Sequence, residues 1–325
     1  MHILEQLRKY SKIVADSGDF ESIRRFKTLD STTNPSLILA AAQDQKYAHL
    51  IDDALAYAKR RLTDRPKLIS LAVEKLFINF GMEILKIIPG RVSTEVDARM
   101  SFDNEGTVKK AREVIAMYKE AGIDRERILV KIASTWEGIK AAETLTKEGI
   151  HCNLTLMFSM AQALACAEAK VQLVSPFVGR ILDWHTKNYP DQKFTPDSEP
   201  GVQLVRDIYN YYKKFDHKTE IMAASFRNTG EIIALAGCDL LTISPTLLND
   251  LERNEGTLDR KLTPEKAYET DIKKTVMDQK KFRWLMNEDI MASEKLAEGI
   301  KKFNEDVAKL ESLLLRRYVA KYETL

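Results

Sequence analysis

One lysine interrupts an otherwise aliphatic segment, ILVKIA, at residues 128–133. Such a run of β-branched and aliphatic residues is typical of a buried parallel strand. The lysine at its centre, Lys131, must either extend its ammonium group to solvent or give up its proton, and for an arbitrary lysine the first outcome is far more common. A neutral lysine amine forms imines with ketones. The surroundings of Lys131 decide which outcome applies.

Short segments rich in β-branched residues predict strands, and segments of helical periodicity separate them. The predicted strands cover residues 12–16, 25–31, 91–97, 128–133, 151–158, 173–178, 220–225 and 240–245. The clearest amphipathic segments lie at 107–122 and 135–149, and each ends in glycine. This alternation in a chain of 325 residues predicts an α/β fold, a (β/α)8 TIM barrel, rather than an open doubly wound sheet. Neither a G-x-G-x-x-G nor a P-loop motif supports the open sheet.

We expect residues 1–325 to form a single barrel domain with two additions. Residues 183–202, rich in proline and aromatic side chains, predict a long structured loop inserted after the sixth strand. From about residue 271 the chain predicts additional C-terminal helices, whose apolar stripe packs on the barrel.

The overall composition argues against several classes of protein. Lys and Arg total 50 against 48 Asp and Glu, so we expect neither a nucleic-acid nor a membrane partner. The odd, scattered cysteines are typical of a reducing compartment, and no apolar segment predicts a signal peptide or a membrane span. We therefore expect a cytoplasmic protein. The histidines show no metal-ligand spacing, so no metal is expected.

Lys131 is predicted to point into the barrel. Side chains alternate between the two faces of a strand, and the more hydrophobic set, Val130 and Ile132, should face the surrounding helices. Polar residues also stand near the ends of most other predicted strands: Asp16, Asn34, Glu95, Asn153, Thr155, Ser175 and Ser225. One such residue is usually a capping or turn group, but a ring of them predicts an active site at the carboxyl ends of the strands.

Six segments in order resemble transaldolase, the Schiff-base enzyme of the non-oxidative pentose phosphate pathway. They are TLDSTTNPSL, GRVSTEVDAR, VKIASTWEGI, CNLTLMFS, SPFVGRILDW and ASFRNTGEI. The resemblance covers nearly the whole chain. It implies a (β/α)8 barrel without metal or organic cofactor, assembled as a homodimer through its C-terminal helices. It also implies transfer of a dihydroxyacetone unit from sedoheptulose 7-phosphate to glyceraldehyde 3-phosphate, giving erythrose 4-phosphate and fructose 6-phosphate.

The resemblance assigns a role to each residue of the predicted ring. Lys131 forms the Schiff base, and Asp16 exchanges a proton with the C4 hydroxyl of the substrate. Glu95 and Thr155 position and activate the water that leaves and re-enters. The other implied residues bind substrate: Asn34, Asn153 and Ser175 at the hydroxyls, Phe177 against the enamine, and Arg180, Ser225 and Arg227 at the phosphate.

Two other functions are compatible with this scaffold. A class I aldolase similar to fructose 6-phosphate aldolase would release the three-carbon unit to water, so the residues that retain the enamine would distinguish it. The chain length and the C-terminal helices favour the longer transaldolases. A non-catalytic sugar-phosphate-binding barrel would be expected to lack Lys131, Asp16 or Glu95, and the sequence contains all three.

Overall fold

The computed structural model describes residues 1–323 and contains a closed barrel of parallel strands in the order β1 to β8. The strands are β1 Lys12–Asp16, β2 Asp30–Thr32, β3 Val92–Glu95, β4 Ile128–Ala133, β5 Cys152–Met157, β6 Leu173–Pro176, β7 Glu220–Ala223 and β8 Leu240–Ile243. Parallel pairing of β1 with β8 closes the barrel. The predicted (β/α)8 barrel is confirmed.

Helices follow the strands around the barrel. Within residues 1–323 the α-helices are α1 Ile3–Leu7, α2 Phe20–Phe26, α3 Pro35–Ala42, α4 Ala48–Lys59, α5 Arg65–Leu85, α6 Asn104–Glu120, α7 Trp136–Lys147, α8 Met160–Glu168, α9 Val178–Asn188, α10 Pro200–Lys214, α11 Thr229–Ala234, α12 Pro245–Arg253, α13 Pro264–Tyr268, α14 Gln279–Glu288 and α15 Ile290–Tyr322. The additional C-terminal helices are present as α14 and α15, but they begin at residue 279 rather than at about residue 271. No helix in this described part of the chain is long and apolar enough to cross a membrane.

Several strands are one or two residues shorter than predicted at their ends, and two predicted segments differ more from the structure. The second strand was expected at 25–31 but spans Asp30–Thr32, because Asp19 caps α2 and Lys27 ends that helix in a left-handed conformation with φ of 48°. Residues 183–202, expected as a loop, include the end of α9 and the start of α10, so the non-helical stretch is 189–199. The predicted domain ends at residue 325, and residues 324–325 lie outside the described part.

Capping side chains fix the residues that follow the strands. The Asn34 Oδ1 atom accepts a hydrogen bond from the backbone N–H of Leu37 at the start of α3, directly after β2. Thr135 caps α7 after β4, and Ser159 forms a capping box at the start of α8 after β5. The carboxyl-end face of the barrel is therefore built from anchored turns.

The barrel interior has an apolar base and a polar upper layer. Inward side chains from five of the strands pack together at the base: Val14, Leu129, Leu173, Met222 and Leu240. Lys131 follows Leu129 by two positions and thus faces the same interior one layer higher. Val130 and Ile132 belong instead to the large core between strands and helices, as predicted.

Candidate active site

Lys131 sits at the centre of a row of polar residues across three strands. In the strand register Glu95 lies beside Lys131, and Lys131 lies beside Asn153. The Lys131 Nζ atom is 3.3 Å from Glu95 Oε2 and donates a 3.2 Å hydrogen bond to the Thr33 carbonyl. Only 4% of Lys131 is exposed, so its amine stays inside the barrel rather than reaching bulk solvent.

Two carboxyl groups near Lys131 are shifted toward their protonated forms. Burial raises the pKa of both Asp16 and Glu95 above their ordinary values, and the charge of Lys131 partly offsets this. Asp16 also accepts a 3.2 Å hydrogen bond from the Thr32 hydroxyl. A carboxyl group with a raised pKa can both take up and return a proton near neutral pH.

Two buried oxygen atoms on β3 and β5, the strands on either side of β4, have no hydrogen-bond partner within residues 1–323. They are Glu95 Oε2, which makes only the ion-pair contact with Lys131, and Thr155 Oγ1. Thr155 lies on β5 one inward position beyond Asn153. Because buried polar atoms are nearly always paired, each of these atoms is suited to bind a water molecule or a substrate hydroxyl.

The predicted hydroxyl-binding residues are held in fixed orientations. The Ser175 hydroxyl donates to Asn153 Oδ1 at 2.7 Å, and Asn153 Nδ2 donates to the Ser93 hydroxyl at 3.0 Å. This chain of hydrogen bonds links β6, β5 and β3 beneath the barrel mouth. Asn34 Oδ1 is engaged in capping α3, so its amide nitrogen is the atom available to substrate.

The two arginines of the predicted phosphate site are close together but differently held. Gly179 donates its N–H to the Ser225 carbonyl, and a Cβ atom built on Gly179 would meet Arg227 Cγ at 2.6 Å. Arg180, the next residue, therefore lies beside the segment 225–227, which we call the Arg227 loop. Arg227 Nη2 lies 2.6 Å from Asp183 Oδ2, and its Nη1 lies 3.2 Å from the Ser225 carbonyl. Arg180 instead lies over the Phe177 ring, 5.0 Å from its centroid. Burial lowers the pKa of the Arg180 guanidinium, and the charge of Arg227 adds to this effect.

Sequence reasoning missed several residues that shape this site. Thr33 contributes through its backbone carbonyl, which residue type does not reveal. Ser93 could have been found, because it lies two positions before Glu95 and so faces the same interior. Asp183 lay in the segment expected to be a loop, where strand alternation gives no direction.

Behind the Arg227 loop lies a buried pair of carboxyl groups. Glu231 Oε2 accepts a 2.6 Å hydrogen bond from the backbone N–H of Arg227, and Glu199, at the start of α10, is the neighbouring acid. Glu231 is fully buried and Glu199 is 5% exposed. Burial raises the pKa of Glu231 to about 8, and the neighbouring Glu199 carboxyl adds to the effect of burial. Glu231 therefore keeps its proton at neutral pH.

The raised pKa of Glu231 makes the free energy of unfolding depend on pH. The folded Glu231 keeps its proton up to a pKa of about 8, whereas the unfolded side chain releases it near its ordinary value of 4.5. The stabilisation that protonated Glu231 gives to the folded state is therefore complete below pH 4.5. It is lost as the pH rises toward about 8, by up to about 1.4 kcal/mol per pH unit. We expect wild type to lose stability relative to Glu231→Gln over this window, measured by urea unfolding at a series of pH values. A constant difference between the two proteins would contradict a protonated Glu231.

The position of these residues defines the class of protein. Enzymes built on (β/α)8 barrels place their active sites at the carboxyl ends of the strands. Asp16 and Glu95 end their strands, Asn34 follows β2, and Ser225 and Arg227 follow β7. The fold and the site are thus those of a (β/α)8-barrel enzyme.

Comparison with known proteins gives the family. The family model described as Transaldolase/Fructose-6-phosphate aldolase matches residues 13–314. Transaldolases of Rattus norvegicus and Homo sapiens are each 56% identical to this chain, over 97% of it and 94% of their own lengths. The transaldolase of Actinobacillus succinogenes is 55% identical over 96% of this chain and 98% of its own. The chain belongs to the transaldolase/fructose-6-phosphate aldolase family, which confirms the resemblance.

A solved structure of an IMP dehydrogenase/GMP reductase-like protein from Corynebacterium glutamicum gives a TM-score of 0.41 at 11% identity, covering 73% of this chain and 64% of that one. This likeness is too weak to bear on fold or function.

Proposed function

We propose that this chain is a transaldolase that works through a Schiff base on Lys131. It transfers a dihydroxyacetone unit from sedoheptulose 7-phosphate to glyceraldehyde 3-phosphate, giving erythrose 4-phosphate and fructose 6-phosphate, and is therefore a transferase of aldehyde or ketone residues. The observation that carries this conclusion is the 55–57% identity to proteins named transaldolase over at least 96% of the chain. Because these relatives are named transaldolases, the aldolase alternative is not favoured.

Formation of the imine begins the proposed reaction. The Lys131 amine attacks the C2 carbonyl of the ketose, and loss of water gives a protonated imine. Glu95, 3.3 Å from the amine, takes up and returns protons as that water leaves. The free Thr155 hydroxyl holds the water molecule in reach of the same carbon, both here and in the final hydrolysis.

Cleavage of the carbon–carbon bond is assigned to Asp16. Its carboxylate removes the proton of the C4 hydroxyl, the C3–C4 bond breaks, and the electron pair moves into the imine to give an enamine. Burial raises the pKa of Asp16, which favours proton uptake in this step and return of the proton during condensation. The aldehyde product then leaves, and the acceptor aldehyde takes its place.

Retention of the enamine separates transfer from simple aldol cleavage. Asn153 and Ser175, joined by a 2.7 Å hydrogen bond, are assigned with Asn34 to the hydroxyls of the three-carbon unit. Phe177 is 6% exposed, and its ring packs 5.7 Å from that of Phe158. This apolar wall limits access of water to the enamine before the acceptor binds.

Arg180, Ser225 and Arg227 are assigned to the substrate phosphate. A guanidinium group binds phosphate through two parallel hydrogen bonds, which a lysine cannot match. Among the described residues 1–323 the donors of Arg180 have no partner, whereas Arg227 already binds Asp183 through three hydrogen bonds. We infer that Arg180 makes the main phosphate contact and that Arg227 adds charge and a second donor group.

We further propose a single-domain, cytoplasmic protein that forms a homodimer through its C-terminal helices. The helix α15 contacts α3, α5, α9 and β5, which supports one domain rather than two. The free cysteines support a reducing compartment. Exposed apolar side chains on α14 and α15, Trp284 at 61% and Ile290 at 62%, support an interface there. Light scattering of the purified protein measures the mass that tests the dimer.

Acceptor dependence tests the proposed function. Fructose 6-phosphate and erythrose 4-phosphate are incubated with the protein, and glyceraldehyde 3-phosphate release is followed by a coupled dehydrogenase. A transaldolase releases it continuously only while the acceptor is present and forms an equal amount of sedoheptulose 7-phosphate. Equal rates with and without acceptor would contradict transfer and indicate an aldolase instead.

A further inference from the structure

Three residues on one face of α15 contact segments at the carboxyl-end face of the barrel. Gly299, Phe303 and Asp306 follow the spacing that places helical residues on a common stripe. A Cβ atom built on Gly299 would lie 2.6 Å from Leu156 Cδ2 of β5 and 3.4 Å from Arg180 Nη1. Asp306, at the other end of the stripe, accepts a hydrogen bond from the Ser36 hydroxyl in the first turn of α3. The C-terminal helix thus lies against the carboxyl end of β5 and against the residues that follow β2 and β6.

Phe303, at the centre of this stripe, forms one side of an aromatic clamp on Arg180. The Arg180 guanidinium carbon lies 5.0 Å from the centroid of the Phe177 ring and 5.7 Å from that of the Phe303 ring. Both distances fall within the range in which a cation is attracted to a ring face. Phe303 is 1% exposed, so its ring has little freedom to move away.

The two rings are the principal restraint on this guanidinium. Within residues 1–323 the Arg180 side chain makes no hydrogen bond or ion pair, and its charged neighbours, such as Glu298 and Arg227, act on it only over distance. Arg227 differs, because Asp183 binds it directly. A restraint by rings keeps the donors of Arg180 unoccupied while limiting where the guanidinium can lie.

We propose that Phe303 is a positioning residue for Arg180, which sets how strongly the site prefers phosphorylated over unphosphorylated aldoses. The inference rests on the proposed function, which assigns Arg180 to the substrate phosphate. Removing the Phe303 ring leaves the Arg180 guanidinium charged but free to adopt other rotamers. Hydrogen bonds from Arg180 to the phosphate must then offset a larger loss of side-chain entropy. Phe303 does not contact the reacting carbons in this account, so an unphosphorylated substrate is insensitive to its loss.

The test compares two acceptors in the Phe303→Leu variant. The value of kcat/KM is measured for glyceraldehyde 3-phosphate and for glyceraldehyde, each with saturating sedoheptulose 7-phosphate as donor, from the erythrose 4-phosphate released, so that it reports the acceptor half-reaction. We expect kcat/KM for the phosphorylated acceptor to fall roughly tenfold, mainly through KM, while that for glyceraldehyde changes little. Equal losses for both acceptors, or no loss for either, would overturn the proposal.

A second variant and a matched control exclude a general packing defect. Gly299→Ala keeps the Phe303 ring but places a methyl group against Leu156 and Arg180, so we expect the same selective loss. Phe26→Leu makes the same deletion under another arginine, since Phe26 is 4% exposed and lies 4.9 Å from the Arg25 guanidinium on α2. This control should leave the ratio of the two acceptors unchanged, and a changed ratio would overturn the assignment to the clamp.

Arg180→Lys separates failure of this inference from failure of the proposed function. A selective loss with Arg180→Lys but not with Phe303→Leu or Gly299→Ala would leave the phosphate site in place and remove the positioning role of Phe303. No selective loss with Arg180→Lys would show that the phosphate binds elsewhere, and both assignments would fall.

Discussion

Replacing Lys131 by methionine abolishes transfer, with an expected loss in kcat of at least about ten-thousandfold. Methionine has a similar length and fills the buried site, but it has no amine to form the imine that accepts the electron pair. The Glu95 carboxyl loses its ion-pair partner in this variant, and its raised pKa lets it become protonated rather than remain as a buried charge. The measurement is kcat of the purified variant for transfer from fructose 6-phosphate to erythrose 4-phosphate, compared with that of wild type.

A second buried lysine provides the matched control. Lys75 on α5 is 8% exposed, and its ammonium lies 5.0 Å from the Tyr57 ring, away from the barrel interior. Burial lowers the pKa of Lys75, so this lysine also lies in surroundings of low polarity. It lacks, however, the polar residues that surround Lys131 at the ends of the barrel strands. Lys75→Met should retain activity. Activity retained by Lys131→Met, or lost equally in both variants, would contradict the assigned role.

Asp16→Asn is expected to lower kcat by roughly a hundredfold to ten-thousandfold, because an amide cannot accept the proton of the C4 hydroxyl. Imine formation does not require this proton transfer. The variant should therefore still form the adduct that precedes cleavage, and borohydride should trap the whole fructose phosphate on the lysine. In wild type the three-carbon adduct should predominate. The difference in adduct mass locates the defect at the cleavage step.

Two results would contradict this assignment of Asp16. A three-carbon adduct in Asp16→Asn would show that another group performs the proton transfer. Absence of any adduct, in a variant whose thermal unfolding matches wild type, would show that Asp16 acts earlier, during imine formation. The hydrogen bond from Thr32 makes a folded variant a reasonable expectation, because an asparagine oxygen can accept the same bond.

Strand alternation accounts for what the sequence predicted correctly. The aliphatic run around Lys131 specifies a buried strand, and its period of two separates Lys131 from Val130 and Ile132. The same rule places Glu95 and Asn153 beside the lysine once parallel pairing is assumed. The second strand was harder to place, because residues 25–31 contain the end of a capped helix as well as the start of a very short strand.

Contacts between distant segments account for what the sequence did not predict. A charged amphipathic tail predicts a helix with an apolar stripe, but not which of its residues meets Arg180. That contact depends on where α15 crosses the barrel, which tertiary packing decides. The pairing of Arg227 with Asp183 has the same origin, since residue type alone does not tell a phosphate ligand from an arginine in an ion pair.

Borohydride trapping tests the central claim, that Lys131 forms the Schiff base, most directly. The wild-type protein is incubated with fructose 6-phosphate, reduced, digested and analysed by mass spectrometry. We predict a dihydroxyacetone-sized adduct, with a smaller amount of the fructose-phosphate-sized one, on the peptide that contains Lys131. An adduct on a different lysine, or no adduct in folded protein, would contradict the account.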